Sequence, residues 1–334
     1  MSSSYILAFE TSCDDTSVAL LQDDTLIAMS TRTQLEHHAT GGVVPEVAAR
    51  SHANAIFPCI EDVLREGGIT LDQIDSIACT EKPWLLPSLL TGMTVAKTLS
   101  LSLKKPILWI DHIESHIFAN YLERKEEDIT FPAVVLTVSG GHTEIYLWKT
   151  LFDLELLWQT RDDAAGECFD KVGKMMWLGF PGGAKIAKLS EEYRNTWIAM
   201  SNSWKRLFPE VMLEADSLDF SFSGIKTAVK REVDKEIQVK WILSDDFKQY
   251  IAYEFEETVT DILSKKLFRA FTHTWASMIL LAGWVSANTI LKEKIRMIAD
   301  VRWVRFLAPT KNLYSMDNAA MVGIRAYYEL AKKS

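Results

Sequence analysis

The same strand-and-turn rhythm occurs twice in this chain, once at the N-terminus and again from residue 133. Residues 5–29 read as an apolar strand (Tyr5 to Phe9), a small polar turn (Thr11-Ser-Cys-Asp-Asp-Thr16), a second strand (Ser17 to Leu21), a turn at Asp23-Asp24 and a third strand. Residues 133–158 repeat it as Ala133 to Val138, Ser139-Gly-Gly-His-Thr143, Glu144 to Trp148 and a further apolar stretch. Helical spacing of apolar residues follows each meander, which restricts the fold to an α/β class with two related lobes. A length of 334 residues is too great for one compact core, and 48% hydrophobic with 24% charged residues is globular.

Helices are expected from Val43 to Glu66, kinked or divided at Pro58 and closed at Gly67-Gly68, and from Ser88 to Leu103. Further on, Asp261 to Thr274, Asn288 to Ile298 and Asp317 to Lys333 read as helices, and Ser277 to Ala282 as a buried strand. Asp317 stands near the positive end of the last helix, where a carboxylate could also face a metal.

The four cysteines (Cys13, Cys59, Cys79, Cys168) form no C-x-x-C pair, so a reduced, cytoplasmic setting fits. The longest apolar runs are too short for a bilayer, and no export or membrane role is indicated. A net charge of −9 argues against coating nucleic acid by bulk electrostatics, so RNA contact needs a small footprint or a helper.

His112 and His116 lie four apart in Asp111-His-Ile-Glu-Ser-His116. On a helix that spacing shares one face and suits a divalent ion, or equally two buried, hydrogen-bonded histidines. Glu114 is one residue too late for an H-E-x-x-H protease, which disfavours peptide hydrolysis. In Ser139-Gly140-Gly141-His142-Thr143 the glycines let backbone approach an oxygen-rich ligand such as a phosphate, or serve the turn alone. Asp162-Asp163-Ala-Ala-Gly-Glu167 with Asp170-Lys171 is a carboxylate cluster for ribose hydroxyls or, more simply, a helix cap.

Glu10-Thr-Ser-Cys-Asp-Asp-Thr16, His38-Ala-Thr-Gly-Gly-Val-Val-Pro-Glu46, Asp111-His-x-x-x-His116, Val138-Ser-Gly-Gly-His-Thr143, Asp162 to Lys171, Phe180-Pro-Gly-Gly183, Phe220-Ser-Phe-Ser-Gly-Ile-Lys226, Val285-Ser-Ala-Asn288 and Asp317-Asn318 occur in this order along nearly the whole chain. In that order they resemble the TsaD family of tRNA N6-adenosine threonylcarbamoyltransferases, once labelled O-sialoglycoprotein endopeptidases, in its bacterial branch.

The resemblance implies an actin-like ATPase (ASKHA, ribonuclease H-like) fold of two lobes with a central cleft. The lobes are expected at 1–108 plus 313–334 and at 109–312, the second carrying most of the metal and nucleotide site. By position, His112, His116 and Asp317 would hold one Fe(2+) or Zn(2+) ion. Leu136, Thr137, Val138, Ser139 and Gly140 would line the acyl-adenylate, with Gly141 and His142 beside them, and Asp170, Gly183 and Asn288 would contact its nucleoside. The activity implied is metal-assisted transfer from threonylcarbamoyl-AMP to adenosine 37 of tRNA, without a covalent enzyme intermediate. Partners implied are tRNA, a TsaB-like paralogue, a TsaE-like ATPase, and threonylcarbamoyl-AMP or ATP.

Departures from the family pattern are unusually concentrated. Ala-Gly-Gly-Val-Ser-Ala-Asn becomes Ala282-Gly-Trp-Val-Ser-Ala-Asn288, with Trp284 where glycine allows close nucleotide approach, and Gly-Pro-Gly-Leu becomes Lys82-Pro-Trp-Leu85. Ala187 replaces an Asp or Ser, and Cys-Thr-Asp-Asn becomes Ser315-Met-Asp-Asn318. Eleven tryptophans is high, and Trp84, Trp177 and Trp284 lie in or beside motifs. Besides the transferase, an impaired scaffold whose nucleotide pocket Trp284 obstructs stays open, and a metalloprotease is the weakest reading.

Overall fold

The computed structural model describes residues 3–37, 42–196, 206–209 and 217–333. Two compact units are formed by residues 1–129, 282–284 and 309–334, and by residues 130–281 and 285–308.

In the first unit β1 (Tyr5–Glu10), β2 (Asp15–Gln22) and β3 (Thr25–Thr33) form the expected antiparallel meander, and β4 (Ser76–Lys82) and β5 (Ile107–Asp111) extend it in parallel. The sheet order is β3-β2-β1-β4-β5. Strand β1 is buried from its second residue onward because it lies at the centre, covered on both faces, as parallel-paired strands generally are. Leu7, Phe9, Val18 and Leu20 pack there with Ile56, Cys59, Ile60 and Val63.

Those last four project from α1 (Pro45–Gly67), which runs unbroken through Pro58. Of the kink or division expected at the proline, the division does not occur, because packing along the apolar stripe holds the helix on the sheet. Gly68 closes it in the left-handed conformation at φ 65°, as the Gly67-Gly68 pair predicts. Helix α2 (Leu86–Leu103) joins β4 to β5, and α3 (His112–Phe118) starts at the end of β5.

The second unit repeats the topology. Strands β6 (Ala133–Val138), β7 (Thr143–Thr150) and β8 (Asp153–Gln159) are antiparallel, and β9 (Met278–Ala282) and β10 (Arg305–Leu307) pair in parallel. Their order, β10-β9-β6-β7-β8, is that of the first sheet element for element. The internal echo in the sequence is therefore an echo of fold. Helices α4 (Ala165–Met175), α5 (Gly183–Arg194), α6 (Ser223–Lys240), α7 (Asp245–Thr274) and α8 (Thr289–Val301) belong to this unit. Helix α7 begins sixteen residues before the expected Asp261, its start marked by Ser244, whose hydroxyl accepts from the Phe247 N–H. Its apolar residues are spread around the helix because most of it is buried, so no stripe marks its first half.

The C-terminal helix α9 (Ala319–Lys333) returns to the first unit and packs on β1, β2 and α3. The expected break after residue 108 falls inside β5, which pairs in parallel with β4, so residues 109–129 belong with the first sheet. Among the described residues no helix is long and apolar enough to cross a membrane.

Candidate metal centre

Strand β1 ends in Glu10, whose carboxylate is buried where the chain leaves the sheet for the polar turn. It accepts from the Ser12 N–H at 2.6 Å, from the Thr80 hydroxyl at 2.6 Å and from His112 Nδ1 at 3.0 Å. His112 opens α3, and the Asp111 carboxylate caps that helix through the Ile113 and Glu114 N–H groups. One turn later, His116 lies on the same face with its ring centroid 4.6 Å from that of His112, edge to face.

Asp317, just ahead of α9, completes the group. Its Oδ1 is 3.1 Å from His116 Nε2 and 3.7 Å from His112 Nε2. Ligand atoms from the three side chains all lie within 4.8 Å of one another. All three residues belong to the first unit, whereas the second was expected to carry most of the metal and nucleotide site, so this candidate cluster is not in the second. Residues 109–111 end the edge strand β5, residues 112–116 open α3, and α9 packs on the same sheet.

The donor set fits a divalent ion. Glu10 occupies Nδ1 of His112 and so turns Nε2 toward Asp317, the arrangement in which a carboxylate behind an imidazole orients it for a metal. His116 is buried, which lowers its pKa and keeps it neutral, and among the described residues its Nδ1 has no hydrogen-bond partner. Burial also acts to lower the pKa of His112, but the Glu10 and Asp317 carboxylates outweigh it and push it up to about 9. Burial would raise the Glu10 carboxyl, yet His112 holds it below its ordinary value. Glu10 and Ser12, whose hydroxyl lies 3.3 Å from His112 Nδ1, are members of the site that spacing alone did not single out. Their signal was a lone carboxylate ending the first strand.

Trp84 lies beside this group, its ring stacked on His112 at 6.2 Å between centroids and 15° between planes.

In the second unit, Leu136, Thr137 and Val138 are buried within β6, Ser139 is buried at its end, Gly141 is exposed, and Gly140 and His142 are half-buried. Ser139 closes the turn: its N–H donates to the His142 carbonyl at 2.8 Å and its hydroxyl accepts from the His142 N–H at 3.1 Å. The Thr143 hydroxyl accepts from Ala165 N–H at the start of α4. That residue takes the capping place, and Ala164 supplies no side-chain cap. Asp162 instead accepts from the Phe222 N–H at 2.8 Å and the Ser221 hydroxyl, while Asp163 pairs with Lys171 and Lys226. Asp162 and Asp163 therefore fasten the 221–226 segment, correcting the expectation of a helix cap, because each has a partner there, far along the sequence.

Asp170 and the Gly182-Gly183 turn come together. The Asp170 carboxylate accepts from Gly182 N–H at 2.7 Å, and a Cβ at Gly182 would lie 2.7 Å from the Phe169 carbonyl oxygen. Asn288 caps α8 through the Leu291 N–H at 2.8 Å, and its amide donates to Glu256 at 2.7 Å. Trp284 stands half-buried in the 3-10 turn Trp284–Ala287 after β9. His38 to Gly41 lie outside the described residues.

With this geometry in hand, comparison with known proteins is decisive. The profile of the family described as TsaD, tRNA N6-adenosine threonylcarbamoyltransferase, matches residues 25–324.

The chain belongs to the TsaD family.

A tRNA N6-adenosine threonylcarbamoyltransferase of Thermosipho africanus (strain TCF52B) is 41% identical over 329 residues, 98% of this chain and 94% of that protein. One of Desulfotalea psychrophila (strain LSv54 / DSM 12343) is 41% identical, covering 97% and 92%. One of Staphylococcus haemolyticus (strain JCSC1435) is 38% identical, covering 97% and 90%. Among solved structures, T. kodakarensis HypF superposes with a TM-score of 0.61 at 12% identity, over 99% of this chain and 49% of that one. The Acidaminococcus fermentans (R)-2-hydroxyglutaryl-CoA dehydratase component A gives 0.52 at 12%, over 98% and 99%. At that identity the likeness is one of fold, and the fold of this TsaD-family chain is the actin-like ATPase (ASKHA) class, α/β with a duplicated sheet.

Proposed function

We propose that this TsaD-family transferase moves a threonylcarbamoyl group from threonylcarbamoyl-AMP to N6 of adenosine 37 in tRNAs that read codons beginning with A. The observation that carries the reading is the convergence of His112, His116 and Asp317 in a chain matched to the family from residue 25 to 324.

An iron(II) or zinc(II) ion fits two imidazoles and a carboxylate, with positions left for substrate. When bound, such an ion supplies Lewis acidity toward an acyl or phosphoryl oxygen. The donor is a mixed anhydride and already activated, so the work left to the chain is binding and orientation. Glu10 and Ser12 fix the ring of His112 from behind. Gly140 and Gly141 give an oxygen-rich group access to backbone at the end of β6, with Leu136, Thr137, Val138, Ser139 and His142 setting that turn. Asp170, Gly183 and Asn288 are assigned to the nucleoside.

Transfer is direct, with no acyl-enzyme. Burial pushes the thiols of Cys13 and Cys168 far above their ordinary pKa, which disfavours the thiolate either would need as a nucleophile. The acidic balance of the chain agrees with tRNA contacts shared with partners, for which a TsaB-like paralogue and a TsaE-like ATPase that turns over ATP are assigned, in the cytoplasm.

The test is reconstitution. The metal-loaded chain, the two partners, tRNA and threonylcarbamoyl-AMP should yield t6A by nucleoside mass spectrometry, and His116→Ala or Asp317→Ala should abolish it. Unchanged yield in those variants would sink the assignment.

A further inference from the structure

Among the described residues, eight that are not glycine have φ in the left-handed region, and five of the eight are tryptophan: Trp84 (151°), Trp177 (62°), Trp241 (60°), Trp275 (54°) and Trp303 (57°). The region is uncommon for any residue with a Cβ and a genuine outlier for a bulky one.

Four of these tryptophans end or directly follow helices. Trp241 and Trp275 are the left-handed caps of α6 and α7. Trp177 and Trp303 follow α4 and α8, where the next residue reaches back five positions: Leu178 N–H to the Gly173 carbonyl at 2.9 Å, and Val304 N–H to the Ala299 carbonyl at 2.9 Å. This is what Gly68 does after α1, with Ile69 N–H donating to the Leu64 carbonyl at 3.2 Å. The motif calls for glycine at that place, and among the described residues glycine fills it once.

Nothing about the indole offsets the strain. Trp241, Trp275 and Trp303 are 87%, 90% and 96% exposed, and Trp177 is largely exposed too, so none gains the burial that makes a tryptophan favourable. Lys104 shows that a side chain can occupy such a cap, but a lysine head stays in water at no cost.

Two independent observations agree. Trp84 and Trp284 stand at glycine positions of the motifs that carry the family resemblance, and the second of these was reached without any dihedral angle. The chain has 15 glycines in 334 residues, fewer than the roughly 23 that an ordinary usage of about 7% gives, beside 11 tryptophans. Six glycines would close most of that gap.

We infer that residues 84, 177, 241, 275, 284 and 303 are glycine in the protein its own cells make. One codon, written here as tryptophan, is read there by a glycine-charged tRNA. The backbone at 84, 177, 241, 275 and 303 is a glycine backbone, and the departures at 84 and 284 are then no departures at all. One consequence rests on the proposed function: with glycine at 84, the face of His112 now covered by the indole opens to substrate.

The test is peptide mass mapping of the protein isolated from cells that carry the gene natively. Glycine at the six positions is the expected result, and tryptophan at them overturns the inference whatever the enzyme does. A second measurement needs no native source. Trp241→Gly, Trp275→Gly and Trp303→Gly should each raise the thermal midpoint by roughly 1–3 °C. The matching alanine variants should gain less, because Cβ and its clash remain. Midpoints that fall, or alanine performing as well as glycine, would count against it.

Discussion

Glu10 Oε2 lies 3.0 Å from His112 Nδ1, joining the last residue of the first strand to the first residue of a helix 102 positions later. With Glu10 on Nδ1, Nε2 is the nitrogen left toward Asp317, which assigns Glu10 a positioning role in the candidate metal centre.

Glu10→Gln should weaken zinc(II) binding by about 10-fold and Glu10→Ala by up to about 100-fold, measured by competition with a chromophoric chelator. The amide keeps the shape and loses the charge. Equal affinity in both variants and the parent would show that the orientation of His112 does not depend on Glu10.

His116→Ala and Asp317→Ala each remove a proposed ligand rather than its support. Both should retain their circular dichroism spectrum while failing to hold a stoichiometric ion through gel filtration. An ion retained by either would place the metal elsewhere.

The Asn288 side chain bonds through both ends of its amide, accepting from Leu291 N–H and donating to Glu256. Asn288→Ala should cost about 1 kcal/mol in urea denaturation for the lost cap. Asn288→Asp keeps the capping oxygen but sets a second carboxylate against Glu256, and should cost more than alanine. The reverse order would mean that the cap, not the Glu256 contact, dominates.

Lys266 is buried, donates to the Asp219 carbonyl and lies 5.3 Å from the Phe220 ring centroid. Burial lowers its pKa from 10.5 to about 8. Between those two values the unfolded chain holds the extra proton, so stability rises with pH across the window and is lower below pH 8, by at most about 1.4 kcal/mol per pH unit. Lys266→Met should remove that slope in denaturation curves taken from pH 7 to 10. A slope that persists would assign it to other groups.

A Cβ at Gly92 would lie 2.4 Å from the Thr11 hydroxyl, which donates to the Ser88 carbonyl at 3.1 Å. Gly92→Ala should destabilise by about 1–3 kcal/mol and displace the turn that follows Glu10. An unchanged urea midpoint would show that Thr11 rotates away freely.

Much of this was determined by the sequence alone, because the information is local. Alternation in residues 5–29 and 133–158 set both meanders, Gly68 set the end of α1, and the four-residue spacing of His112 and His116 set a shared helix face. The repetition of the meander even indicated that the sheet is duplicated. What the tertiary structure decided is every pairing that depends on strand order. Asp317 meets His116 across 201 positions because α9 packs on the sheet that carries β5. Asp162 and Asp163, which read as caps, fasten residues 221–226 instead. Residues 109–129 went to the first unit, since a strand belongs to the sheet that satisfies its backbone hydrogen bonds. The glycine character of five tryptophan sites is likewise a property of φ, which spacing does not carry and folded backbone does.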